Sequence, residues 1–246
     1  MEFLTPDWPA PRAVRAAFTL RHGGVSDGSF ATLNLGLHTG DAMEAVKENR
    51  RRVRGMLGLP GEPAWLDQVH GTEVLVLGPE TGAERPGQGL RGDAAVTRAP
   101  GRVCAIQVAD CIPVLLTARD GSVVGAAHAG WRGLAAGVIE AAVRALAVEP
   151  RETLAWLGPA IGPAHFEVGD EVREAFRGAP DSAFVRNARG RWQCDLPALA
   201  RGRLRALGVQ DVYGGGWCTY ADAGRFFSYR RDARCGRMAA LIWIES

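Results

Sequence analysis

Three residues in the middle of this chain are of types that bind or activate: His70 in LDQVHG, Cys111 in VADCIPVLL and His128 in AAHAGWRG. Each stands where an apolar run of strand character meets a turn, a position from which side chains project into a shared cleft. One thiolate and two neutral imidazoles suit tetrahedral zinc with its fourth position open, the pattern of catalytic and not structural zinc sites. A metal held in this way would polarise a substrate oxygen or bring the pKa of a bound water towards about 7. Copper competes for the same nitrogen and sulfur donors. The residues also allow a chemistry without metal, with Cys111 as nucleophile and His128 or His70 as its base. No local finger pattern such as C-x-x-C links them, so spacing leaves both readings open.

The elements that must position these residues are readable from apolar periodicity. Strands are expected at Thr72–Leu77, Val103–Val108, Pro113–Thr117, Val123–Ala127, Thr153–Leu157, Val209–Tyr213, Phe226–Tyr229 and Met238–Ile244, which are β-branched or aromatic runs bounded by Gly, Pro or Asp. Helices are expected from about Ala42 to Leu57, capped by Asp41, and from Gly133 to Ala147, where Leu134, Val138, Ala142 and Leu146 recur every four residues. A third should start at Asp195, as N-cap before Leu196 and Pro197, and end near Gly208. Gly82–Gly92, rich in Gly, Pro and charge, reads as a loop. Strands outnumber helices and several follow one another directly. The expected class is therefore α/β of the mixed α+β kind, with layered mixed sheets flanked by helices, not a regular doubly wound fold. No G-x-G-x-x-G follows a strand, so a dinucleotide site is not indicated.

Bulk properties narrow the function classes. At 246 residues, with 47% apolar and 23% charged side chains, the chain suits a globular protein with a sizeable core. We expect a single domain over 1–246. The net charge of +2 points to neither nucleic acid nor a membrane surface as partner. The N-terminal segment has no secretory pattern and no run approaches the roughly 18 apolar residues of a membrane span, so cytoplasm is expected. Five irregularly spaced cysteines argue for reduced thiols or ligands over disulfides.

The strings LDQVHGTEV, GDAAVT, VADCIPVLL, AAHAGWRG, GPAIGP and FFSYRRD followed by GRMAALIWI, with RHGGVS and NLGLHTGD upstream, resemble the laccase-domain family. They do so in order over nearly the whole chain. Members of that family were named multicopper polyphenol oxidases and are now assigned as purine nucleoside phosphorylases. The resemblance implies that His70, Cys111 and His128 are the metal triad. It implies a compact α/β domain of layered mixed sheets, similar to a bacterial glutamine-deamidating toxin. It also implies phosphorolysis of adenosine, inosine and methylthioadenosine, with adenosine deaminase activity. Ala95 departs from the larger apolar residue that the family often carries there.

Phosphorolysis needs an anion site, and Arg is suited to phosphate through its bidentate fork. Candidates are Arg21 beside Gly23–Gly24, Arg132 in HAGWRG, and Arg230 and Arg231 in SYRRD. Gln68, two residues before His70, is a candidate for a purine edge. Asp93 and Asp110 are candidates for orienting a ligand histidine or protonating a leaving base. His38 either lines the site or bonds backbone, His165 reads as structural, and Cys104, Cys194, Cys218 and Cys235 read as inert thiols without a neighbouring histidine. Trp131 could shape the pocket wall. The expected partners are a purine nucleoside and phosphate, and the expected state is a monomer or small homo-oligomer. Five histidines and no H-x-H exclude a four-copper oxidase. A single-copper polyphenol oxidase, a metal-free Cys–His amidohydrolase on a peptide or cell-wall precursor, and a nucleotide sensor remain as rivals.

Overall fold

The computed structural model describes residues 2–79 and 90–246. Met238–Ile244 is the centre of one six-stranded sheet, antiparallel to Val14–Thr19 on one side and to Val103–Val108 on the other. Every residue of this last strand is buried, as its unbroken apolar run MAALIWI requires when both faces are covered. Ala64–Asp67 and then Leu90–Arg91 extend the sheet in parallel, and Phe3–Leu4 closes the other edge. The second six-stranded sheet runs Asp211–Gly214, Thr153–Leu157, Ile112–Ala118, Val124–Ala129, Ala94–Thr97, Val74–Leu77, with parallel pairs at both edges.

Alternation along the strands decides the layers. Cys104, Ile106 and Val108 of the first sheet pack with Leu115, Val124 and Ala126 of the second. The outer face of the first sheet, through Ala105, Leu241 and Trp243, meets Val53 of the helix Met43–Leu57. The outer face of the second meets Val138, Ile139, Ala142 and Leu146 of one helix, and Leu199 and Leu204 of another, Leu196–Ala206. The result is helix, sheet, sheet, helix: mixed α/β with layered mixed sheets, as expected. A small third sheet joins Glu167–Val168, Trp192–Cys194 and Phe184–Arg186.

Several local expectations are corrected. The helix expected over 133–147 is two helices, Trp131–Ala136 and Val138–Leu146, broken at Gly137 with φ 102°. The apolar period survives the break because both pieces cover the same sheet. Phe226–Tyr229 is not a strand: Phe226 and Phe227 are buried in a loop, and Tyr229 opens the short helix Tyr229–Asp232, capped by Ser228. Asp41 does not cap the helix at Met43; its Oδ2 accepts from Ser26 Oγ and Asn34 Nδ2. Asp195 does act as an N-cap, accepting from Ala198 N at 2.8 Å. LDQVHG opens on the last two residues of the strand Ala64–Asp67 and then leaves it, and the next strand begins only at Val74. Val14–Thr19 and Ala94–Thr97, not expected as strands, complete the sheets. The loop expected at 82–92 lies outside the described residues as far as 89.

Candidate metal centre

Strand register brings two of the three candidate ligands to one end of the second sheet. Ile112 pairs with Ala129 and Pro113 with His128, which sets Cys111, just ahead of its strand, beside the end of His128's strand. Ala94 pairs with Ala127, so Asp93 reaches His128, whose N–H donates to the Asp93 carbonyl at 2.7 Å. His70 arrives differently, on the crossing from the first sheet to the second, with φ 61°. That left-handed conformation costs a non-glycine residue about 1–2 kcal/mol. Asp93 holds it: the N–H groups of Val69, His70 and Gly71 donate to its carboxylate at 3.2, 2.8 and 2.6 Å. The same Oδ1 accepts from Nδ1 of His128 at 2.9 Å, which turns Nε2 of that ring towards the cluster. One fully buried carboxylate thus orients both histidines. Burial alone would raise its pKa, but the hydrogen bonds from His128, Gly71 and His70 keep it below the usual value.

One donor atom from each of His70, Cys111 and His128 lies within 4.8 Å of the others, and Cys111 Sγ is 3.8 Å from His70 Nε2. Zinc bonds of about 2.3 Å to sulfur and 2.0–2.1 Å to nitrogen place tetrahedral donors roughly 3.3–3.7 Å apart. The cluster therefore needs only a small side-chain closure to hold a metal ion. Among the described residues it is the one His, Cys, Asp or Glu group with this geometry. Burial pushes the Cys111 thiol up, but the charge and hydrogen bonds of His128 and His70 outweigh it and bring the thiol down to about 6. Burial likewise opposes the His128 cation, yet Cys111 and Asp93 raise that ring to about 9. Each of the two groups thus favours the charged form of the other, the thiol lowered and the imidazole raised. A Cβ on Gly130 would lie 2.8 Å from Cys111 Sγ and 2.9 Å from His70 Cδ2, so only glycine lets the backbone pass the cluster this closely.

The cluster opens into a cavity of about 470 Å³, a usual size for a small-molecule site. Phe166, Ile161, Tyr229, His38, Arg230 and Arg237 contribute to its lining. Of the phosphate candidates, Arg230 is there. Arg21 is not: its guanidinium donates to the carbonyls of Ala31 and Ala223 and lies against the Phe227 ring. Arg132 is not either; it is exposed on its helix and stacks on Trp131, which itself packs on the core and not in the cavity wall. Arg231 donates to the carbonyls of Thr219, Tyr220 and Phe226.

Gln68 borders the cavity but is not on a strand. Its amide donates to Gln107 O and accepts from Gln107 N, both at 2.8 Å, so it extends the ladder of the first sheet instead of presenting a free edge to a purine. Asp110, at φ 88°, accepts from Thr219 Oγ1 and Arg230 N, a structural clamp. His38 lines the cavity, where burial and then the charge of Arg237 lower its pKa and keep the ring neutral at pH 7. Cys218 is not without a histidine: His165 Nδ1 lies 3.5 Å from its Sγ, and the ring stacks on Tyr220. Cys104 and Cys194 are buried and pushed up to about 12. Sequence reading missed Arg237, Tyr229 and Phe166 as cavity residues. Only Arg237, isolated ahead of a long apolar strand, carried a signal that could have been noticed.

Fold and site together define a mixed-sheet α/β protein with a His/Cys/His cluster that could hold a metal ion, opening into a cavity of about 470 Å³. The chain belongs to the family described as multi-copper polyphenol oxidoreductase laccase, whose model matches residues 15–245. It is 53% identical over 247 residues to a Pseudomonas aeruginosa protein named purine nucleoside phosphorylase, covering 99% of this chain and 98% of the relative. It is 48% identical over 246 residues to purine nucleoside phosphorylase YfiH of Escherichia coli, covering 99% of each. A Neisseria meningitidis crystal structure superposes with a TM-score of 0.93 at 47% identity over 100% of both chains. That of YlmD from Geobacillus stearothermophilus gives 0.89 at 33% identity, over 96% of this chain and 93% of the other.

Proposed function

We propose that this protein is a purine nucleoside phosphorylase of the cytoplasm, acting as one domain. It converts adenosine, inosine and methylthioadenosine to the free base and the pentose 1-phosphate, with adenosine deamination as a side activity. The observation that carries this reading is the His/Cys/His cluster set in a cavity that also holds arginines, in a chain so similar to relatives named for that activity. His70, Cys111 and His128 would hold the metal, for which the donor set favours zinc. When bound, a metal here supplies Lewis-acid stabilisation of charge on a substrate oxygen.

The remaining chemistry belongs to the side chains. A phosphate oxygen attacks C1′, the bond from C1′ to N9 breaks, and the purine leaves with the electron pair. The proton lost by hydrogen phosphate ends on the base, and neutral His38 is placed in the cavity to carry it. Arg230 offsets the phosphate charge. Asp93 keeps His70 and His128 in register throughout.

Purified protein incubated with inosine should release hypoxanthine and ribose 1-phosphate only when phosphate is present. Release that ignores phosphate would make it a hydrolase, and no release would overturn the reading. Metal analysis should find close to one zinc per chain, with copper as the outcome that revives polyphenol oxidation. Cys111→Ala should lose both metal and turnover.

A further inference from the structure

Two cations in the cavity have no counter-ion. Arg230 lies within Tyr229–Asp232 and Arg237 stands immediately before Met238–Ile244, and neither has a carboxylate at ion-pair distance among the described residues. Many other arginines of the chain do, including Arg51, Arg52, Arg119, Arg173, Arg189, Arg203 and Arg225. Both cavity arginines are nevertheless fixed in place. Arg230 Nη1 donates to Glu167 O at 2.7 Å, and Arg237 Nη1 donates to Cys235 O and Gly236 O at 3.0 and 3.1 Å. Their Cζ atoms lie 5.2 Å from the Phe166 ring centre and 5.9 Å from that of Tyr229. Each uses Nη1 on main-chain carbonyls, that of Arg237 also on Cys235 Sγ, and among the described residues its Nε–Nη2 edge has no acceptor. That edge presents two parallel N–H groups at the spacing of two oxygens on one phosphorus or carbon. The nearby Asp110 does not neutralise them through side-chain contact, since its oxygens accept from Thr219 Oγ1 and the main-chain N of Arg230.

We propose that Arg237 and Arg230 form a two-armed site for inorganic phosphate, and that Arg237, unassigned by sequence reading, is the residue that selects this tetrahedral dianion. The assignment rests on the phosphorylase reading for its role as a co-substrate site, and on the free guanidinium edges for its existence. Arg21 and Arg132 take no part, because their guanidinium groups lie elsewhere.

The test uses the metal-loaded full chain in two assays: calorimetric titration with inorganic phosphate alone, and steady-state kinetics with phosphate and inosine varied separately. Arg237→Gln should raise both the phosphate Kd and the KM for phosphate by about 10- to 100-fold, the loss of a charge-assisted pair of hydrogen bonds. KM for inosine should stay within about twofold. Arg237→Lys restores charge but not the fork and should recover only part of the loss. Arg230→Gln should repeat the phosphate effect, and this variant decides the matter if near-ultraviolet circular dichroism shows Arg237→Gln misfolded. Arg132→Gln should change nothing. Unchanged phosphate binding in both glutamine variants would overturn the site, as would a wild-type protein that binds no phosphate at millimolar concentration. Equal losses for inosine and phosphate would reduce Arg237 to a structural residue and also overturn it. If the wild type cleaves no purine nucleoside yet binds phosphate through Arg237, the activity reading fails and the anion site stands.

Discussion

Replacing Gly130 with alanine presses a methyl group directly against two of the three ligands of the cluster. Gly130 has φ −67° and ψ 161°, extended backbone that any residue adopts, so the added methyl brings no backbone strain. It would sit 2.8 Å from Cys111 Sγ and 2.9 Å from His70 Cδ2, inside the 3.4 Å at which ordinary contact begins. Both side chains must then retreat by about 0.5–0.6 Å, beyond the ±0.2 Å that metal–ligand distances tolerate. Overpacking of this kind costs about 1–3 kcal/mol. Alanine at the N-cap of Trp131–Ala136 adds roughly 0.5–1 kcal/mol. For a chain of this size, Tm should fall by roughly 4–12 °C, with the fold retained. Metal affinity should fall at least about tenfold, read by competition against a chromophoric chelator. Gly55→Ala is the control: nothing lies within 4 Å of its added Cβ, in the helix Met43–Leu57, and it should stabilise by up to about 1 kcal/mol. Unchanged metal affinity in Gly130→Ala would refute the placement of Gly130 against both ligands.

Asp93→Asn turns one acceptor oxygen into a donor that faces main-chain N–H groups; it should cost about 2–4 kcal/mol and weaken metal binding by 10- to 100-fold, and wild-type affinity in the variant would refute the orienting role. In metal-free protein at pH 7, iodoacetamide should label Cys111 and Cys218 but not buried Cys104, Cys194 or Cys235 until the chain unfolds, as peptide mapping would show. Because the Cys111 thiol lies near 6, its labelling rate should fall only about twofold between pH 7 and pH 6 and steeply below that, while bound metal should suppress it. Glu48 is brought down to about 2 by hydrogen bonds from Arg51 and Arg52. A lowered carboxylate pKa contributes stability above the unfolded value of about 4.3, lost as pH falls through 2. The Tm difference between wild type and Glu48→Gln should therefore be small, shrink towards pH 2 and shrink with salt; a difference that grows on acidification would contradict the pairing.

How far the site was legible in the sequence follows from what each motif encodes. His70, Cys111 and His128 were readable because their types are uncommon and each ends an apolar run. Asp93 could be suspected of orienting a histidine, but only strand register reveals that it bonds three consecutive N–H groups as well as His128. The helix over 133–147 was misread because periodicity records which residues are buried and not where the backbone turns. Gly137 breaks the helix without breaking the stripe. Phe226 and Phe227 looked like a strand because burial alone gives the same composition in a packed loop.

By itself the sequence determined the ligand types, the mixed α/β class and the family, all carried by local strings whose chemistry does not depend on distant partners. Only the tertiary structure decided which arginines face the cavity. Arg21, Arg132, Arg230 and Arg237 are chemically identical, and their roles differ only in the carbonyls, rings and carboxylates that distant segments bring to each. The charge of Arg237 reaches His38, and His165 meets Cys218, for the same reason: the neighbours of remote segments are set by sheet register and layer packing. The triad was legible as three candidates, and the fold supplied the buried carboxylate and the glycine passage that make them one site.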